Sequence, residues 1–188
     1  MQYDTLTPLI TRFTNLIDSL INDFKNYKLD EETVIMLAKK TRNFISFTEL
    51  ALLNVIFKVL EKMGEYQFVN DDQISDIKKM VESIFDKMNQ SLDTILQHDD
   101  EEEEHVHDHG HDHEHHHHID IESVQKDIDK IVEYLVFLKK ILLDVGQMAI
   151  SLLKYQGKEI NEEEFKKEYT QFKDNMDSYK SEFENNLI

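Results

Sequence analysis

Between Asp120 and Gly157 the apolar residues recur at steps of one, three and four without a break. The series is Ile121, Val124, Ile128, Ile131, Val132, Leu135, Leu138, Ile141, Leu142, Val145, Met148, Ala149, Leu152 and Leu153. This is the spacing of one helical face. About 36 residues at roughly 1.5 Å each give a rod of about 54 Å. A stripe that long needs companions of comparable length to cover it. The sequence is therefore limited to an architecture of long helices packed side by side.

The companions are legible on both sides. Pro8 opens a first helix with Thr7 as its cap, because a proline loses nothing at the first helical position. Its stripe is Leu9, Ile10, Phe13, Leu16, Ile17, Leu20, Ile21 and Phe24. Asp30 caps a second helix that runs to Met63, with Gly64 as its stop. Ser46 and Glu49 have capping-box spacing, flanked by Ile45 and Leu50 as a staple, so a break near residues 43–46 is one reading. A continuous helix with Ser46 on its side is the other, favoured because no Gly or Pro enforces a break. Phe44–Leu60 is apolar on more than one face and is the candidate central core helix. Asn70 or Asp71 caps a third helix, whose stripe is Ile74, Ile77, Val81, Ile84, Phe85, Met88, Leu92 and Ile95. Gly146, inside the long stripe, reads as a close-packing position. Asn161 and Glu164 form a capping box for the last helix, with Ile160 and Phe165 as its staple.

That last helix has a narrow seam in which Phe165, Tyr169, Phe172, Met176, Tyr179 and Phe183 alternate steps of four and three. Two readings stand. The seam packs on the protein's own long helices, or it is a docking face for a partner protein or a second copy.

Charged residues make up 32% of the chain, which has one Pro and four Gly, so regular helices with few tight turns are expected. The expected fold is all-α: an elongated antiparallel bundle of four to six long amphipathic helices with one disordered His/acid-rich loop. Residues 1–97 form a helical half, 98–119 the loop, and 120–188 a helical hairpin packed on the first half.

The loop is chemically unlike everything around it. All ten histidines fall within 98–118, with nine acidic residues and no Lys or Arg. The rest of the chain has 30 acids against 21 bases and no histidine. Nothing in 98–118 can be buried well enough to offset its ordering entropy, so the segment is expected to be mobile without a ligand. His105, His107, His109, His111, His113 and His115 alternate with other residues, and His116, His117 and His118 complete a contiguous cluster. In extended backbone alternate side chains share a face, so several imidazoles can converge on one ion. Neutral imidazole is a strong ligand for Zn, Ni, Co and Cu, and carboxylates can complete the shell. The expected ligands are these nine histidines, the expected cofactor is a divalent transition metal, and no organic cofactor is called for. Redundant ligands suit storage, buffering, delivery or sensing better than catalysis. A solvated spacer and a pH-responsive segment are the alternatives.

In composition the stretch resembles the His/Asp loops of nickel-enzyme maturation proteins, of zinc-binding proteins of metal importers and of metal-cation transporters. The likeness covers about 20 residues. The Gly-rich phosphate loop and the membrane spans of those families are missing, so it assigns no family.

Other classes are disfavoured. A net charge of −18 repels phosphate backbones and anionic membrane surfaces, so no nucleic acid is expected as a partner. No cysteine is present, which removes disulfides and thiolate chemistry. Helices without histidine cannot supply a di-iron site, a haem ligand or a Ser/His/Asp triad, so no enzyme is expected. The N-terminus lacks the pattern of a signal peptide. The longest apolar runs are interrupted by Asn54, Lys58, Glu133, Lys139, Lys140 and Asp144, short of an uninterrupted span of about twenty residues. The expectation is a soluble, cytoplasmic protein without membrane insertion. Metal handling or sensing is the first functional expectation. The second is a scaffold or interaction subunit in which the loop is a spacer.

Overall fold

The computed structural model describes residues 3–103 and 120–186. Among these the protein is all-α, with five helices and no strand. They are α1 (Tyr3–Asn26), α2 (Glu31–Glu65), α3 (Asp71–Glu103), α4 (Ile121–Gln156) and α5 (Glu162–Asn186).

Cross-helix contacts give the directions. Lys139 of α4 pairs with Asp18 of α1 at 2.7 Å. Phe13 meets Phe47, and Asp23 meets Lys40, across α1 and α2. Arg42 pairs with Asp93, and Glu61 with Lys78, across α2 and α3. Each of these neighbours is antiparallel. Together α1 to α4 form a four-helix bundle, and α5 lies outside it along α4 and α3. The core is continuous, from Phe13, Ile17 and Leu20 through Ile45, Leu52 and Phe57 to Val81, Phe85, Leu135 and Leu142.

Local chemistry explains most helix ends. Asp30 accepts a hydrogen bond from the Thr33 N–H at 2.8 Å. Asn70 Oδ1 accepts from the Asp72 N–H at 3.0 Å, which makes Asn70 the cap of α3. Asp120 accepts from the Glu122 N–H. The capping box of α5 closes in both directions, Glu164 N–H to Asn161 Oδ1 at 2.8 Å and Asn161 N–H to Glu164 Oε2 at 3.0 Å.

Several expectations change. Helix α1 starts at Tyr3 and carries Pro8 inside it. The reason is Leu6, which is buried and extends the stripe Leu6, Ile10, Phe13, Ile17 one turn further back. Its burial outweighs the hydrogen bond that Pro8 withholds. The central helix is α4, which packs against α1, α3 and α5. The Phe44–Leu60 stretch contributes Phe44, Ile45, Leu52, Ile56, Phe57 and Leu60 to the core but leaves Phe47, Leu50 and Val55 exposed. Helix α3 continues past His98 to Glu103, because no Gly or Pro stops it and glutamate is a good helix former.

Helix α2 is continuous through Ser46, which is exposed on its side. It winds as a π-helix over Glu49–Ile56. Its buried positions here are Thr48, Leu52, Ile56 and Leu60, each four residues on. In an α-helix such steps drift around the axis. The wider turn keeps them facing the core. By length and composition α2 is also long and apolar enough to cross a membrane, although Asn54 and Lys58 interrupt its apolar run. Of that apolar window 39% is buried in the bundle.

Gly146 sits against α1. A Cβ there would lie 2.4 Å from Ile10 Cδ1 and 2.7 Å from Ile10 Cγ1. The close approach of α1 to α4 thus depends on a missing side chain.

Candidate functional site

The nine expected ligands, His105, His107, His109, His111, His113, His115, His116, His117 and His118, lie outside the described residues. What is described is the frame that carries them. The segment leaves α3 after Glu103 and joins α4 at Asp120. Thr94 near the end of α3 and Asp127 near the start of α4 line the same cleft, so both attachments are at one end of the bundle. The carbonyl end of α3 carries partial negative charge and the N-terminus of α4 at the same end carries partial positive charge, so the two helix ends offset each other. Among the described residues, no three His, Asp or Glu side chains are grouped to hold a metal ion.

The aromatic seam of α5 is in the chain's own core. Phe165, Tyr169, Phe172, Met176 and Phe183 are buried, and Tyr179 is half-buried. Phe165 stacks on Tyr155 with ring centres 4.7 Å apart and meets Tyr66 and Phe68 edge-on. The Tyr169 hydroxyl accepts from the Asn70 N–H at 3.0 Å and donates to Gln73 Oε1 at 3.1 Å, which ties α5 to the start of α3. Phe183 stacks on Phe137 of α4. A docking face for a partner or a second copy is therefore not open along these residues. The reason is that α4 and the 66–69 connection supply matching aromatics. Tyr66, Phe68 and Tyr155 were not singled out in the sequence. Their signal was present in the pair Tyr66 and Phe68, two aromatics within a short connection that need cover.

Ionisable groups are perturbed at a few places. Tyr179 donates to Asp144 Oδ2 at 2.6 Å. Burial first, then this bond to an anion, pushes its phenol up to about 12. Burial, reinforced by Asp86 and Glu82 across the α2–α3 interface, pushes the Glu49 carboxyl up. Burial likewise raises Tyr134, with Glu133 adding to it. The Asp30 carboxyl is held down by its hydrogen bond to Thr33. Ser151 donates to Glu168 across α4 and α5 and is buried, so it binds the two helices together. These groups are placed for packing.

Comparison with known protein families, with curated proteins and with solved structures gives no match, so function is read from the residues themselves.

Proposed function

We propose that this protein binds divalent transition metal through the segment 98–118 and handles or senses it without catalysing a reaction. One observation carries the reading: every histidine in the chain falls within that acidic segment, and the helices on either side have none. Imidazole and carboxylate together make a ligand set for Zn, Ni, Co and Cu. Affinity follows the general order, with Cu(II) strongest. The helical frame supports the reading by anchoring both ends of the segment at one end of the bundle. Ten histidines in 21 residues give overlapping sites, so ions can pass from one ligand set to the next. That is the chemistry of a buffer or a donor.

The test keeps the acids and removes the imidazoles. His105, His107, His109, His111, His113, His115, His116, His117 and His118 are changed to Asn, and Zn(II) uptake is followed by equilibrium dialysis. The reading predicts loss of most bound zinc. Undiminished uptake would assign binding to the carboxylates alone. The alternative is an interaction or scaffold subunit with the segment as a spacer. On that reading the same variant supports normal cellular function under metal stress.

A further inference from the structure

We propose that the cleft between α3 and α4 is a binding site for a free α-amino acid, held by its ammonium and its carboxylate. The cleft has a volume of about 380 Å³, within the range of small-molecule sites. It runs along α3 from Lys87 to Thr94 and along α4 from Asp127 to Tyr134, and Asn186 at the end of α5 also lines it.

Ser91 carries the argument. It is only 6% exposed, and it lines the cleft. A hydroxyl inside a helix commonly returns to its own backbone. Thr14, Thr41, Thr94, Ser151 and Thr170 each donate to the carbonyl four residues back. Ser91 makes no such bond, and among the described residues its hydroxyl has no partner. Buried hydroxyls are normally satisfied, so what meets this one in the cleft must be polar.

The charges around Ser91 select the ligand. Lys87 precedes it by four residues and shares its face of α3. From α4 come Asp127, Lys130 and Glu133, at steps of three. Among the described residues none of these charges is in an ion pair. Elsewhere the chain does pair its lysines, Lys139 with Asp18 and Lys166 with Glu162. Two cations and two anions are thus left to a ligand, and they cancel locally in a chain of net charge −18. Tyr134 adds no further charge, because burial and Glu133 keep its phenol protonated. A simple anion meets two carboxylates here and the field of the whole chain. A simple cation meets both lysines. A small molecule with both charges and no net charge escapes both penalties. The carboxylate of an α-amino acid takes the lysine and Ser91 donors, and its ammonium takes Asp127 or Glu133.

The standard amino acids are titrated singly into the full chain and binding is read by calorimetry. At least one should bind with a Kd of about 1 mM or tighter. For that one, the amide, which lacks the carboxylate, and the deamino acid, which lacks the ammonium, should each bind roughly tenfold more weakly. Ser91→Ala and Lys130→Glu should each weaken binding by a similar factor, with helical circular dichroism unchanged. Lys167→Glu, on α5 outside the cleft, should leave it unaltered. No amino acid reaching that affinity, or binding indifferent to both cleft variants, would overturn the proposal. Equal or stronger binding of the deamino acid would assign the cleft to simple carboxylates, and of the amide to simple cations. Either result also overturns it.

Discussion

Two residues show how single positions set local stability. Helix α4 ends at Gln156, and Gly157 follows with φ −78. The left-handed residue is instead Lys158, at φ 60. Its N–H reaches the Tyr155 carbonyl, and the Glu159 N–H reaches the Lys154 carbonyl at 2.8 Å, so the turn is stapled although a side chain is strained there. Lys158→Gly should therefore stabilise the chain by about 0.5–1 kcal/mol, read as a higher denaturant midpoint with unchanged slope. Tyr179 is the second case. Its folded pKa, about 12, lies above the ordinary phenol value of 10.0. The contribution of the neutral, hydrogen-bonded phenol is thus full below pH 10 and is lost as pH rises towards 12. Tyr179→Phe should cost about 1 kcal/mol at pH 7. The gap to the parent chain should close between pH 10 and pH 12 in parallel melts.

At the scale of elements, packing decides what propensity leaves open. Gly146→Ala would gain up to about 1 kcal/mol of helix propensity. In this bundle it drives a methyl into Ile10, which costs about 1–3 kcal/mol. The substitution should lower the melting temperature in the parent chain and raise it in an Ile10→Ala background. The same sign in both backgrounds would mean that the two residues do not meet. Phe172→Ala should cost about 3–5 kcal/mol of folding stability, because the seam is core. A partner face would give a smaller loss. Much of this level was legible in the sequence. Asp30, the Asn161/Glu164 box and the stripes of α3 and α4 follow from local patterns, and they fall where the patterns place them. The misses have non-local causes. Leu6 extends α1 past a proline because the bundle core buries it. The winding of α2 depends on which of Val55 and Ile56 faces the core, and an apolar pair reads alike in either register. The aromatic seam looked the same whether its cover came from within or from a partner.

For the whole molecule, the sequence separates a histidine-free helical scaffold from a segment, 98–118, that holds every histidine. The bundle closes its own core with α4 at the centre and α5 as an outer cover. It holds the ends of 104–119 together at the joint of two antiparallel helices. Connections of this length are cheap to shorten, since loop entropy varies only slowly with length. Deleting 98–118 and joining the ends by a short Gly/Ser linker should therefore lower the helical circular dichroism only by the share of the six α3 residues removed, 98–103. That makes the decisive comparison clean. Zn(II), Ni(II) and Cu(II) are titrated calorimetrically into the intact chain and into the linker variant at matched concentration. Metal binding through 98–118 predicts saturable uptake by the intact chain, strongest for Cu(II), and none by the variant. Equal uptake by the two chains would contradict it.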